Sequence, residues 1–167
     1  IKERVIGRVI NYIKNIIEEI DALVIEDYGK GLITPHLLKP ILSLAKKHKK
    51  IRSVDPKEDH FSYYKGPTVI TPNHHEAFRA SGLKESDKGS LKKVGEFLLK
   101  KLKTKIALVT LGEEGMAVFE EGKPPKKIPT IAQEVYDVSG AGDTVISSYT
   151  LSLASGATPI QAAHIAN

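Results

Sequence analysis

The sequence contains no cysteine, so disulfide bonds and thiolate metal sites are excluded. This absence is typical of a cytoplasmic protein, and we expect a cytoplasmic location. No apolar run approaches the ~18 residues that a membrane-spanning helix needs, so we expect no membrane partner. The P-loop pattern G-x-x-x-x-G-K-[ST] and the motif set of protein kinases are also missing. Any phosphate site in this chain must therefore be built in another way.

With 167 residues, of which 41% are apolar and 27% charged, the chain is long enough for one α/β domain with a core and too short for two. Its net charge of +5 comes from lysine clusters within 46–50, 92–93, 100–103 and 126–127. Each cluster is predicted to lie near a helix end or in a turn, where cations suit the negative end of the helix dipole. We therefore expect no nucleic-acid partner.

Helical and extended patterns alternate along most of the chain. The apolar spacing predicts helices within 2–20, 34–48, 73–81, 88–103 and 141–154, with a further amphipathic stretch at 159–167. It predicts strands at 22–26, 51–55, 68–71, 106–110 and 116–119, and a short extended segment at 134–138. This alternation predicts an α/β fold, with a mostly parallel sheet covered by helices on both faces.

Polar or glycine residues come directly after four of the predicted strands and after the short extended segment. Ligands of such sheets bind beyond the carboxyl ends of the strands. The loops with suitable chemistry are 27–31, 55–57, 73–76, 110–115 and 140–143. The sequence therefore predicts one site at this edge of the sheet, formed by several loops.

The segment Gly140-Ala141-Gly142 allows a tight turn whose backbone N–H groups, together with the start of the next helix, form an anion site. Asp143 follows at once and could act as a base that takes a hydroxyl proton while the amides hold a phosphoryl group. The pattern is equally consistent with a plain glycine turn in which Asp143 is a favourable first-turn acid. A dinucleotide fingerprint fails, because Val145 stands where its third glycine is required.

Residues 137–146, Asp-Val-Ser-Gly-Ala-Gly-Asp-Thr-Val-Ile, resemble the C-terminal signature of the PfkB, or ribokinase-like, carbohydrate kinases. The sequence departs from that signature at Ser148, where the family favours alanine or glycine. Four other loops occur in the order seen in heptose-7-phosphate kinase domains of lipopolysaccharide biosynthesis. They are Asp-Tyr-Gly-Lys-Gly at 27–31, Val-Asp-Pro-Lys at 54–57, Thr-Pro-Asn-His-His-Glu at 71–76 and Thr-Leu-Gly-Glu-Glu-Gly-Met at 110–116.

The resemblance implies a ribokinase-like three-layer sandwich and an ATP-dependent sugar kinase. It implies that Asp143 is the catalytic base that deprotonates the sugar hydroxyl. It also implies that Gly140, Ala141 and Gly142 form the anion hole. ATP and a sugar phosphate would be the small-molecule partners, and the complete enzyme would be a homodimer.

The same resemblance assigns further residues to ATP and Mg²⁺. Asn73 and Glu76 would organise the metal and its waters against the phosphates, and Lys57 would contact a phosphate. The nucleotide would lie near the loop that carries Thr110, Gly112 and Gly115, with Asn167 beside the adenine region.

Each of these residues also has a purely structural interpretation. Asn73 followed by Glu76 three residues later is the pattern of a helix capping box. Lys57 could be a surface lysine, and Thr110 and Gly112 are ordinary hairpin residues.

We expect residues 1–167 to be a partial kinase domain, the C-terminal part of a longer enzyme. Kinases of this family carry an N-terminal portion with the lid and much of the sugar pocket, and that portion has no counterpart in this sequence. The isolated chain should therefore have negligible activity. The alternatives are a non-catalytic nucleotide-binding remnant of the same fold and a PfkB kinase for a different sugar.

Overall fold

A computed structural model describes residues 3–87, 89–130 and 140–167. The strands are β1 (Ala22–Glu26), β2 (Ile51–Asp55), β3 (Val69–Ile70), β4 (Ile106–Thr110), β5 (Met116–Glu120) and β6 (Lys126–Ile128). The helices are α1 (Glu3–Ile16), α2 (Pro35–Lys47), α3 (His74–Ser81), α4 (Ser90–Leu102), α5 (Ala141–Ala154) and α6 (Pro159–Ala166). Short 3₁₀ turns lie at Glu58–His60 and Gly112–Glu114.

The described strands form one sheet in the order β1-β2-β3-β4-β5-β6. Strands β1 to β4 are parallel, whereas β5 and β6 are antiparallel to their neighbours. The loop lengths account for this change, because a parallel pair needs a long crossover and an antiparallel pair needs only a short turn. The four parallel strands therefore bring their carboxyl ends to one edge of the sheet.

Helices cover both faces of the sheet, so the molecule has three layers. Side chains alternate along β4, with Ala107 and Val109 in the core under α1–α4 and Ile106 and Leu108 in the core under α5 and α6. Crossovers between parallel strands share one hand, which places α2, α3 and α4 on the same face. The predicted α/β fold is confirmed.

Two helices begin or end at residues that favour such a boundary, which are Thr34 with Pro35 for α2 and Gly82 for α3. The Thr34 hydroxyl accepts a hydrogen bond from the N–H of Leu37 at 3.4 Å, and Pro35 is the first residue of α2. Helix α3 ends at Gly82, which has a φ of 69°. A residue without a Cβ adopts this left-handed conformation at little cost, so the chain turns there.

Two of the sequence-based boundaries are wrong, and one strand was not predicted. Helix α1 ends at Ile16 rather than near residue 20, because the chain turns before β1. Helix α4 is Ser90–Leu102 with Gly89 as its N-cap, and is therefore shorter than the predicted helix at 88–103. Strand β6 was not predicted, since only Ile128 of its three residues is buried. The extended segment predicted at 134–138 lies outside the described residues.

The structure also corrects the placement of two lysine clusters. Lys92 and Lys93 lie in the first turn of α4, not near its negative end. Lys126 and Lys127 lie in β6 and not in a turn, and both side chains are exposed. Strand pairing through the backbone leaves these side chains free to remain in water. Within the described part of the chain, no helix has both the length and the apolar character to cross a membrane.

Helix α5 is fixed against the parallel half of the sheet. It packs on β1 and β2, with Ile146 and Tyr149 fully buried. One buried hydrogen bond joins the two layers, in which the Thr150 hydroxyl donates to the Ser53 hydroxyl at 2.7 Å. This anchoring places the N-terminus of α5 beyond the carboxyl ends of β1 and β2.

Candidate active site

The N-terminus of α5 presents backbone donors that have no partner among the described residues. Gly140 has a φ of 76°, and the helix begins at Ala141 with no side-chain cap. The carbonyl of Gly140 accepts hydrogen bonds from both the N–H and the hydroxyl of Thr144, each at 3.0 Å. The N–H groups of residues 141–143 precede the first intrahelical bond and therefore remain available to an anion.

Asp143 lies in the first turn of α5 and is half-buried. Its Oδ2 accepts a hydrogen bond from the Tyr28 hydroxyl at 2.5 Å. This hydrogen bond raises the pKa of Tyr28 to about 12, with smaller contributions from burial and from the negative charge of Asp143. In the part of the chain that the structure describes, the carboxylate therefore has one side-chain partner, from the loop that follows β1.

Asp55, the last residue of β2, is a member of the site that the sequence did not single out. Its Oδ1 accepts a hydrogen bond from the Thr71 hydroxyl at 3.0 Å. A Cβ placed on Gly142 would lie 3.9 Å from Asp55 Oδ2, so this carboxyl adjoins the turn of the anion site. Burial raises the pKa of Asp55 to about 7, and the charges of Glu76, Asp143 and Glu26 contribute in the same direction.

Negative charge accumulates at this edge of the sheet. Burial, and then the charge of Asp143, raises the pKa of Glu26. Three carboxyl groups, those of Glu26, Asp55 and Asp143, therefore influence one another electrostatically. A phosphate group would meet less repulsion here if Asp55 were protonated or if a cation bound with it.

Asn73 and Glu76 form a capping box at the start of α3. The Asn73 side chain accepts from the N–H of Glu76, and the Glu76 carboxylate accepts from the N–H of Asn73, both at 2.9 Å. The structural interpretation of this pair is thus confirmed. Burial raises the pKa of Glu76, an effect that the Asn73 hydrogen bond and the nearby positive charge of Lys57 oppose.

The side chains of Asn73 and Glu76 suit Mg²⁺ as ligands only in part. In the described part of the chain, no group of three or more histidine or acidic side chains could hold a metal ion. Mg²⁺, however, usually keeps several waters and binds proteins through one or two carboxylates together with phosphates. A single carboxylate such as Glu76, together with a bound phosphate, would fit that pattern.

Lys57 follows β2 and lies between the predicted loops 27–31 and 73–76. Its backbone N–H donates to the Tyr64 hydroxyl at 2.9 Å, and its side-chain carbons pass Gly29 closely enough that a Cβ there would lie 3.5 Å away. The charge of Lys57 also reaches Glu76. Lys57 is therefore a cation among the carboxylates of this edge.

The β4–β5 connection continues the same edge. Thr110 forms an isolated bridge with Asn73, and its N–H donates to the carbonyl of Pro72 at 3.1 Å. Gly112 is exposed and begins the 3₁₀ turn. Gly115 is buried with a φ of 87°, and a Cβ there would lie only 2.0 Å from the carbonyl oxygen of Ile128. Close packing against β6 therefore accounts for Gly115 without any ligand.

Asn167 lies at the far end of this row of loops. Its side-chain amide donates to the carbonyl of Pro129 at 2.7 Å, just beyond β6. The structure thus brings Asn167 near the Gly115 turn, because the backbone of Pro129 also adjoins Gly115.

The predicted site residues form two groups along one edge, joined by the contact between Asn73 and Thr110. One group contains Asp143, the α5 turn, Lys57 and the α3 capping box. The other contains Gly112, Gly115 and Asn167. Residues 137–139 of the signature lie outside the described residues.

Sequence reasoning missed four side chains that hold the first group together: Tyr28, Asp27, His60 and Tyr64. Tyr28 and Asp27 belong to a loop already noted for its polar residues. His60 and Tyr64 gave no signal, because nothing in the local pattern marks a contact over 33 or 37 residues.

The sequence of this chain is similar to those of known proteins. The model of the family described as "pfkB family carbohydrate kinase" matches residues 8–167. The "Bifunctional protein HldE" of Desulfatibacillum aliphaticivorans is 42% identical over 167 residues, which is the whole of this chain and 34% of the relative. The protein of the same name from Helicobacter pylori strain J99 is 41% identical over 158 residues. The chain thus spans about a third of the length of these curated relatives.

Solved structures of other proteins have the same fold as this chain. A putative phosphofructokinase from Staphylococcus aureus has a TM-score of 0.80 at 21% identity, over 99% of this chain and 54% of that one. An Arabidopsis thaliana ribokinase complexed with ribose and ATP has a TM-score of 0.76 at 20% identity, over 92% and 49%. The likeness confirms the predicted ribokinase-like fold. Since the family model covers nearly the whole chain, this protein belongs to the pfkB family of carbohydrate kinases.

Proposed function

We propose that this chain carries the nucleotide-side machinery and the catalytic base of an ATP-dependent sugar kinase. The observation that supports this most is the half-buried Asp143 in the first turn of α5, beside the free N–H groups of residues 141–143. A base and an anion site within one turn suit the transfer of a phosphoryl group to a hydroxyl.

In the proposed reaction, Asp143 accepts the proton of the sugar hydroxyl as that oxygen attacks the γ-phosphorus of ATP. The bond between this phosphorus and the ADP oxygen breaks, and ADP leaves with the electron pair. The N–H groups at the start of α5 hold the transferring phosphoryl oxygens, and Lys57 balances charge on the phosphates. The protein supplies mainly position in such a reaction.

Glu76 and Asn73 would hold Mg²⁺ and its waters beside the phosphates. When bound, the metal would neutralise charge on the transferring group. The capping box itself would keep the Glu76 carboxylate in place, because one of its oxygens is already bonded to the Asn73 N–H. Thr110, Gly112, Gly115 and Asn167 would line the nucleotide end of the site.

We propose heptose 7-phosphate as the sugar, phosphorylated at its anomeric hydroxyl for lipopolysaccharide precursor synthesis. The order of the four strand-end loops supports this choice, as does the identity of about 40% to the HldE proteins. The complete enzyme would be a homodimer. A kinase of the same family for another sugar, and a non-catalytic nucleotide-binding remnant, are the alternatives.

A kinase assay on the product of the full gene, with a panel of sugar phosphates, tests the proposal. Heptose 7-phosphate should give the highest kcat/KM, and a better substrate of another class would replace it. Nucleotide binding without turnover of any sugar would favour the remnant.

In the same protein, Asp143→Asn should lower kcat by ~10²–10⁴ and change ATP affinity little, because the base acts in the chemical step. Asp59→Asn is a suitable control, since Asp59 is an exposed carboxylate of the Glu58–His60 turn. Unchanged turnover in Asp143→Asn would remove this residue as the base.

A further inference from the structure

The hydrogen bond between Tyr28 and Asp143 joins residues 115 positions apart in the chain. Tyr28 is 59% exposed, so its ring contributes little to the core. Its hydroxyl nevertheless lies 2.5 Å from Oδ2 of the carboxylate that the proposed mechanism uses as a base. The hydroxyl thus meets the site at the carboxylate on which the proposed chemistry depends, while most of the ring lies in water.

The turn that carries Tyr28 is fixed from the inside of the protein. Asp27 is 7% exposed, and its Oδ1 accepts from the N–H of Gly29 at 2.9 Å. Its Oδ2 accepts from the Tyr64 hydroxyl at 2.6 Å and lies 2.7 Å from His60 Nδ1. Burial would raise the pKa of Asp27, but these hydrogen bonds outweigh burial and lower it. A buried, ionised Asp27 with these three contacts therefore holds the backbone on both sides of Tyr28.

The same buried tyrosine also fixes the loop after β2. The Tyr64 hydroxyl donates to Asp27 and accepts the N–H of Lys57 at 2.9 Å. Burial and the bond to Asp27 raise the pKa of Tyr64, which keeps this hydroxyl protonated as a donor. The loops that carry Tyr28 and Lys57 are thus joined to each other through the Tyr64 hydroxyl.

We propose that Tyr28 is a positioning residue that orients the Asp143 carboxylate for proton transfer. The proposal rests on the proposed kinase function. An ionised carboxylate has about four lone-pair directions. Tyr28 occupies one on Oδ2, and within the described ranges no hydrogen bond is made to Oδ1, which would face the sugar hydroxyl. Bases in enzymes are commonly oriented by such a third group. The phenol proton stays on Tyr28 throughout, so no proton is transferred to or from it.

The first test is kinetic, in the full-length protein. Tyr28→Phe removes only the hydroxyl of an exposed ring, so the fold should be unaffected. We expect kcat to fall by about 10- to 150-fold, as for a lost hydrogen bond to a charged group, with KM for ATP within about twofold. Tyr12→Phe is the matched control, because Tyr12 is 64% exposed on α1, remote from this edge. An unchanged kcat in Tyr28→Phe, or a higher KM for the sugar alone, would overturn the positioning role.

The second test does not depend on activity. The ring of Tyr28 can be followed by NMR with tyrosine labelled at Cζ while the pH is raised. The charged groups that face the phenol are Asp143, Glu26 and Asp55. In the wild-type protein Tyr28 should titrate at about 12, and in Asp143→Ala its pKa should fall toward the usual value of about 10. Identical titrations in the two proteins would show that the contact is absent in solution.

Together the tests separate failure of this inference from failure of the proposed function. An active wild-type kinase that Asp143→Asn inactivates and Tyr28→Phe leaves unchanged would refute the role of Tyr28 alone. A wild-type protein without activity on any sugar would refute the kinase proposal, and the role of Tyr28 with it.

Discussion

At the scale of single residues, the most unusual group of the site is the carboxyl of Asp55. It lies at the end of β2 with one hydrogen-bond donor, Thr71, while Glu26, Glu76 and Asp143 surround it with negative charge. Because burial raises its pKa to about 7, this carboxyl is partly protonated at neutral pH. A protonated Asp55 would reduce the repulsion of a phosphate held at the α5 turn.

The raised pKa of Asp55 makes stability depend on pH. A folded-state pKa of about 7, against about 3.9 in unfolded chains, means that the folded protein retains a proton that the unfolded chain loses. The contribution to stability is present below about pH 4 and is lost as the pH rises through about 7. Asp55→Asn should remove this loss. The variant should gain about 1–4 kcal/mol over the wild-type protein between pH 4 and pH 8.

Urea unfolding of both proteins at several pH values measures this gain. Asp21→Asn is the control, since Asp21 is an exposed carboxyl before β1. A constant difference between Asp55→Asn and the wild-type protein across the pH range would show that the Asp55 pKa is not raised.

At the scale of elements, two helical glycines look alike in the sequence and differ in the structure. Gly7 lies in α1 with open space around it, so a Cβ there would contact nothing within 4 Å. Gly95 lies in α4 against β5, and a Cβ there would be 2.1 Å from the ring of Phe119. The absence of a side chain at Gly95 therefore allows α4 to pack closely on the sheet.

The two glycines predict opposite effects of the same substitution. Gly95→Ala should destabilise the protein by about 1–3 kcal/mol, because an extra methyl group in a tight interface forces the ring or the helix to move. Gly7→Ala should stabilise it by about 0.5–1 kcal/mol, since alanine is the better helix former and has room. Equilibrium denaturation of both variants checks this, and a neutral Gly95→Ala would mean that Phe119 repacks easily.

Helix starts can be predicted from the sequence, whereas contacts between residues distant in the chain cannot. Local signals such as Thr34 before Pro35, or Asn73 with Glu76, predict helix starts correctly because the partners are close in the chain. The contact of Gly95 with Phe119 and that of Tyr28 with Asp143 depend on tertiary packing. Strand β6 was missed for a related reason, since its pairing with β5 uses the backbone and its exposed lysines conceal the pattern.

At the scale of the whole molecule, the order of the loops carried more information than any single motif. The α5 turn alone left catalysis and simple helix capping equally open. The sheet brings that turn, Lys57 and the α3 capping box to one edge, because parallel strands end on the same side. The residues that bind the sugar could not be predicted in this way, since no pattern in these loops marks a contact to a sugar.

The exposed edge of the sheet predicts how the 167-residue chain behaves in solution. Among the described strands, β1 pairs only with β2, and Val24 at its centre is 37% exposed. An unpaired edge strand offers N–H and C=O groups to another chain. We therefore expect the chain to self-associate at concentrations of about 10–100 μM, where partly unsatisfied strand edges commonly associate. Val24→Lys should suppress this, because a charged side chain on an edge strand opposes pairing.

Light scattering of the two proteins over that range measures the effect. Leu151→Lys is the matched control, since Leu151 is 69% exposed on α5, on the opposite side of the sheet from the α1–α4 layer. Loss of association in Leu151→Lys but not in Val24→Lys would place the contact on the helices instead. A wild-type chain that stays monomeric throughout would contradict self-association through the β1 edge.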